Sequence, residues 1–251
     1  MIKARLIPAL FLLALHATAA WAQGPFETGI CPGPLEFGVE PRITLMKVVG
    51  NNPRVNLIQN RDQAKPNCPD LSEACKRRGF LVQGDDVLVG EVRNGIACIS
   101  YISPNAKRVK GRFPETNGFI PAAALAPVGT MAPVAADWIG KWTRDAEAEI
   151  EITAGAGGKL LIKGDATFGA LDPDRVKRGA VNLGELDAEV MPKGNRIFFG
   201  EGYDGVKLPN DAGECQARLH LYGRYLVVED SSGCGGMNVR FTGFYIRLKG
   251  S

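Results

Sequence analysis

The sequence predicts an all-β protein folded as two antiparallel units, and three observations carry that prediction. Its 31 glycines and 16 prolines break the chain into short apolar runs, the pattern of strands joined by tight turns. No window of useful length after Asp137 shows apolar residues at helical spacing. Near the middle, APVGTMAPVAA (Ala126–Ala136) is uncharged, small and interrupted by two prolines, which reads as a linker between pieces of ordinary domain size. The expected organisation is residues 1–22 as a signal peptide, 23–125 as the first unit, 126–136 as the linker and 137–251 as the second unit.

The chain begins MIKARLIPALFLLALHATAAWA, with Lys3 and Arg5 ahead of an apolar run from Leu6 to Leu15, then Ala20-Trp21-Ala22. A charged start, a short apolar middle and small residues two apart form a secretory signal, with cleavage after Ala22. A membrane span needs about 20 apolar residues, twice what this run offers. The expected location is therefore periplasmic or secreted, with no transmembrane segment. Removing the signal leaves 28 of the 30 basic residues against 27 acids. So even a balance argues against nucleic acid as a partner, which calls for a strong basic excess.

Six cysteines, Cys31, Cys68, Cys75, Cys98, Cys215 and Cys234, all follow the signal. An even count in an exported chain predicts three disulfides. Metal binding would require close cysteine pairs or histidines, and His220 is the one histidine beyond the signal. No metal and no cofactor are expected.

In the first unit, Arg42–Val49 and Arg54–Gln59 are candidate strands. Cys68 and Cys75 flank the short loop PDLSEA. Phe80–Val82, Val87–Val89 and Ile96–Ile102 follow as strands, divided by Gly84-Asp85-Asp86 and Arg93-Asn94-Gly95. Asn-Gly between β-rich runs signals a hairpin, because both residues tolerate positive φ. Phe119-Ile120-Pro121 ends a strand, and a short helical turn leads to Leu125. This order, GD-x-V-L-V, then G-x-A-C-x-x-Y, then G-F-I-P-x-x-x-L, resembles a bacterial SH3-type domain. Gly118, Phe119, Ile120, Pro121 and Leu125 carry the resemblance. It implies a small barrel, with the strands before Cys68 added to it as extra strands or a lasso. Four cysteines here permit three pairings, and the expectation is Cys68–Cys75 with Cys31–Cys98, the second tying the amino-terminal extension to the barrel.

The second unit opens with DWIGKW (Asp137–Trp142). Strand candidates follow at Glu149–Thr153, Lys159–Gly164, Glu185–Val190, Arg196–Phe199, Ala217–Tyr222, Arg224–Glu229 and Asn238–Arg247. Short strands with regular breaks indicate an antiparallel sandwich or barrel. Ala217, Leu219 and Leu221 alternate with Arg218, His220 and Tyr222, which places His220 on an outward face. A hairpin turning at Tyr222-Gly223 brings Cys215 and Cys234 to the same end. Their disulfide staples it, and Gly233, Gly235 and Gly236 supply positive φ and close approach beside the bridge. A nucleophilic Cys234 would need a base in reach, and His220 on the outside supplies none. Phe241, Tyr245 and Trp142 read as core.

The tract from Cys215 to Arg247, with Asp230, Cys234-Gly235-Gly236, Asn238, Phe241, Gly243 and Tyr245, is similar to a carboxyl-terminal β domain of exported, lysozyme-inhibitor-like bacterial proteins. That resemblance implies a scaffold, since the helical inhibitory module of such proteins is absent here.

Other motifs reduce to turns. GAGGK (Gly155–Lys159) lacks a phosphate loop's first glycine, with Thr153 in that place, and Leu160 stands where Ser or Thr is needed. Asp172-Pro173-Asp174 lacks the further oxygens of a calcium loop. With no nucleophile–base pair in view, the expected protein is not an enzyme. It is an exported, non-catalytic binding protein that engages cell-wall peptide, glycan or an envelope protein. The alternative is a lysozyme inhibitor acting by loop insertion, against which near-neutral charge counts. Candidate contacts are Lys107, Arg108, Lys110, Arg112, Phe113 and Phe119, a basic run with aromatics on a loop suited to an anionic glycan or headgroup. A thiol-specific reagent added to the native protein is expected to leave Cys234 unmodified; labelling there by mass mapping would return catalysis or metal capture to first place.

Overall fold

The computed structural model describes residues 25–33, 43–111, 113–129, 132–206, 209 and 213–247. The predicted signal peptide and Arg112 lie outside them. The protein is all-β, with a half-barrel sheet followed by a nearly closed one.

The first sheet contains β1 (Thr44–Val48), β2 (Arg54–Ile58), β3 (Lys76–Val82), β4 (Asp86–Arg93), β5 (Ile96–Ile102), β6 (Glu115–Pro121) and β7 (Leu125–Pro127), in the order β3-β2-β6-β5-β4-β1-β7. The β4–β5 turn uses Asn94 and Gly95 at φ 52° and 76°, as the Asn-Gly signal requires. Pro121 ends β6, and a 3-10 turn over Ala122–Ala124 feeds β7. The strands ahead of Cys68 are interior members of the sheet, not an appended lasso. β1 lies between β4 and β7, and β2 between β6 and β3. The reason is their apolar faces: Val48, Val55 and Leu57 are buried with Leu81, Val89 and Ile120. A second cluster gathers Cys31–Cys98, Cys68–Cys75, Ile58 and Phe119.

Part of the expected linker is ordered into the sheets. β7 pairs with β1, and Val128 N–H donates to Leu45 O at 3.3 Å. The helical turn Ala135–Trp138 then delivers Trp138, fully buried, to the second core.

The second sheet contains β8 (Gly140–Asp145), β9 (Ala148–Ala154), β10 (Leu160–Phe168), β11 (Asn182–Val190), β12 (Arg196–Phe199), β13 (Ala217–Tyr222), β14 (Tyr225–Asp230) and β15 (Gly243–Arg247). Its order is β11-β10-β9-β8-β15-β14-β13-β12. β8 was not among the sequence-predicted strands. Conversely, Asn238–Thr242 is not strand: Asn238 sits at φ 67°, and Asp230 Oδ1 accepts the Phe241 and Thr242 N–H groups at 3.1 and 2.6 Å. A side chain thus takes the place of ladder partners. Asp172 caps a short helix, Pro173–Lys177, accepting from Asp174 N–H at 2.9 Å.

Trp138, Trp142, Phe241 and Tyr245 are fully buried, as is Leu226. Burying each such side chain is worth about 1.5–3 kcal/mol. Trp142 Nε1 donates to Trp138 O at 2.8 Å and Tyr245 Oη to Phe241 O at 2.7 Å, while Trp138 Nε1 is buried without a partner among the described residues.

The Cys-Gly-Gly tract seals this sheet. Cys215 and Cys234 are joined across the open end of the β13–β14 hairpin. Beyond the bridge, Gly235 pairs with Gly184 of β11; Glu185 N–H donates to Cys234 O at 3.1 Å and Gly236 N–H to Leu183 O at 2.9 Å. The expectation of positive φ at Gly233, Gly235 and Gly236 is not met; Ser232 and Asn238 hold those conformations. The glycines answer to space alone. A Cβ on Gly184 would lie 2.6 Å from Cys234 O, one on Gly235 2.7 Å from Gly184 Cα, and one on Gly233 2.4 Å from Glu214 O.

The two sheets meet on the outward face of β13–β15. Tyr225, Val227, Phe244 and Ile246 pack there against Ile43, Leu45, Leu88 and Ile102. This corrects the placement of His220. It shares that face with Val227, its register partner, and only 4% of it is exposed, because the first sheet covers what alternation alone marks as outside.

Gly184→Ala is expected to lower stability by about 1–3 kcal/mol in urea unfolding, the range for overpacking a close contact. An unchanged midpoint would mean that this edge is not sealed by backbone proximity.

Candidate binding site: a groove on the first sheet and the junction of the two sheets

A groove of about 370 Å³ opens on the first sheet between β2, the Cys68–Cys75 loop and the 3-10 turn. The 68–75 bridge closes a loop of only seven residues' separation, which presents Asp70, Leu71, Ser72 and Glu73 to the groove. The opposite wall carries Arg54, Asn56 and Pro121. Both charge signs are therefore present. Ser72 N–H and hydroxyl donate to Asp70 Oδ1 at 2.8 and 2.5 Å and hold that carboxyl below its ordinary range. Glu73 pairs with Lys76 at 3.2 Å, while Arg54 lies 4.4 Å above the Phe80 ring. Leu71 is 59% exposed although it sits in the middle of the loop. The Cys68–Cys75 disulfide closes the loop that carries it.

Two further clefts flank the junction. One, of about 450 Å³, is lined by Phe113, Glu115, Asn117, Arg144 and Asp145. Ser100 Oγ donates toward Glu115 Oε1 at 3.0 Å, and Asn117 Nδ2 donates to Pro32 O at 2.7 Å. Glu115 as a residue stays open to water, but its carboxyl end is set against buried Ser100. Desolvation there raises its pKa, against the opposing hydrogen bonds from Ser100 and Asn117. The other cleft, of about 850 Å³, runs between the linker and the β13–β14 turn.

The structure divides the sequence-predicted contact residues. Phe113 lines the junction cleft, with the Arg108 guanidinium 5.3 Å over its ring. Arg108 Nη2 also donates to Thr143 Oγ1 of β8, and Ala146 N–H donates to Gly111 O at 2.6 Å. The loop is thus bonded to the second sheet. Lys107 and Lys110 remain exposed. Phe119 is fully buried, 5.2 Å from Phe26 in the cystine cluster, so its part is in packing. Its alternation partners on β6 gave no hint, because both faces of that strand are covered at this point.

Sequence reasoning also missed a buried ion pair. Arg218, with no exposed surface, directs Nε and Nη2 to Glu229 Oε2 at 2.8 and 2.6 Å. The signal was available: a hairpin turning at Gly223 puts position 218 opposite 229. Two facing charges of opposite sign on one side of a hairpin can tolerate burial only together. Among the described residues, no group of three His, Cys, Asp or Glu side chains is placed to hold a metal.

At the centre of the junction, Tyr225 Oη donates to Asp86 O at 2.8 Å and receives Arg224 Nη2 at 2.6 Å. Burial pushes its phenol up to about 12; Tyr101, hydrogen-bonded to Asp85, is likewise pushed up to about 12, chiefly by desolvation. Comparison with protein-family models, curated proteins and solved structures finds no match to the chain.

Both phenols keep their proton more firmly folded than unfolded, where tyrosine titrates near 10. The stability they contribute is whole below about pH 10 and is lost as pH rises toward 12. Unfolding free energy measured across that window is expected to fall, and Tyr225→Phe to flatten the fall. An equally steep profile in that variant would take the phenol out of the account.

Proposed function

We propose that this is an exported, non-catalytic binding protein of the periplasm or cell surface. Its first sheet acts as an SH3-type module that engages cell-wall peptide or an envelope protein. The observation that carries the reading is the groove beside β2, where cations, carboxylates, side-chain amides and the exposed Leu71 line one trough. Stem peptides of the wall carry carboxylates and an amine on a short backbone, and a trough of both signs is complementary to them. Three disulfides suit an oxidising compartment outside the cytoplasm. The strand order of the first sheet, with a 3-10 turn before its short last strand, fits the resemblance carried by Gly118–Pro121 and Leu125. Lys107 and Lys110, exposed cations of the 107–117 loop, offer a supplementary contact to anionic wall polymer.

Purified protein is expected to co-sediment with peptidoglycan or to crosslink to an envelope protein in cells. Leu71→Asp, at an exposed position that spares the core, is expected to reduce capture several-fold. Neither capture nor a crosslink from the wild-type chain would end this reading.

A further inference from the structure

We propose that the 850 Å³ cleft between the linker and the β13–β14 turn binds an anionic amphiphile, a carboxylate or phosphate carried on a hydrocarbon body. The site is separate from the groove beside β2 and does not depend on how that groove is used.

The size comes first. Small-molecule sites fall in the range of about 300–1,000 Å³, walled by apolar groups with a few polar ones. Here Ile43, Leu45 and Tyr222 form the floor, and Val128 and Pro133 of the linker form one side. Leu45, with Ile43 just ahead of β1, comes from the first sheet and Tyr222 from the second, so a bound molecule would touch both.

Charge decides the head group. Arg224 and Arg247 line the cleft, and neither is ion-paired with a carboxylate among the described residues. Arg224 donates through Nη2 to Ile102 O and Tyr225 Oη, and lies 4.3 Å over the Tyr225 ring. Arg247 donates through Nη2 to Asp137 O and lies 4.7 Å over the Trp142 ring. Carbonyl oxygens and aromatic faces thus hold each guanidinium in place without neutralising it. The Nε and Nη1 donors of both remain unused among the described residues, so each guanidinium keeps charged N–H groups to give to a carboxylate or phosphate oxygen. Among the described residues, the one carboxylate lining the cleft, Asp137, has its Oδ2 engaged by Val134 N–H at 2.8 Å. Two cations against one occupied carboxylate favour an anion, and the floor favours a hydrocarbon attached to it.

The test is isothermal titration of the folded chain, lacking its leader, with dodecanoate and with dodecyl phosphate below their micelle concentrations. Saturable one-to-one binding of either supports the site, and the tighter of the two identifies the head group as fatty carboxylate or lipid phosphate. Arg247→Gln, at an exposed position, is expected to weaken binding about tenfold, the worth of one charged hydrogen bond. Val128→Glu, on the linker wall, is expected to weaken it similarly by repulsion and keeps the test intact should Arg247→Gln lower the melting temperature. Equal affinity for dodecyltrimethylammonium or dodecanol, inorganic phosphate binding as tightly as dodecyl phosphate, or undiminished binding in both variants would each overturn the proposal.

Discussion

Everything in the second unit depends on two backbones touching where no side chain fits. Gly184 on one edge and Gly235 beyond Cys234 are paired so closely that a methyl group on either would meet the other strand's main chain. An eight-stranded sheet with open edges exposes rows of unpaired donors and acceptors. Here the 215–234 bridge holds the β13–β14 hairpin shut, and the glycines beyond it carry the chain back onto β11. The cystine and the glycines therefore act as one device. A bridge alone leaves the edge open, and glycines alone have nothing to hold them there.

Closure has a consequence on the outer surface. Once β13–β15 are held in register, Tyr225, Val227, Phe244 and Ile246 form one apolar face, and the first sheet covers it with Ile43, Leu45, Leu88 and Ile102. The phenol of Tyr225 and the guanidinium of Arg224 tie that contact to the main-chain oxygens of Asp86 and Ile102. Satisfied polar groups inside an apolar seam fix one mutual arrangement, where apolar contact alone would tolerate sliding. The clefts are the spaces left on either flank of that seam, and the linker walls the larger one.

Much of the fold is legible in the sequence. The Asn94-Gly95 hairpin, the limits of β12 and β13, the turn at Gly155–Lys159 and the 68–75 and 215–234 bridges follow from local signals, while Cys31–Cys98 joins positions 67 residues apart and was one of the open pairings. Local signals fail where a partner comes from far along the chain. β1 and β2 read as additions because their neighbours β7 and β6 lie more than fifty residues away. Asn238–Thr242 alternates like a strand, yet Asp230 takes its donors. The candidate contacts divided in the same way. Lys107 and Lys110 stayed in water, Arg108 turned to Thr143, and Phe119 went inside. The groove beside β2 was not foreseen, since its walls come from residues spread between 49 and 124.

The sequence by itself determined the all-β class and the short-range 68–75 and 215–234 bridges, because each is set by composition or by spacing within a short stretch. Tertiary structure alone decided which strand faces are outside. Arg218 and His220 alternate outward on β13 and are buried nonetheless. Alternation tells a residue which side of its own sheet it occupies. Whether that side meets water or a second sheet depends on surfaces brought together from opposite halves of the chain.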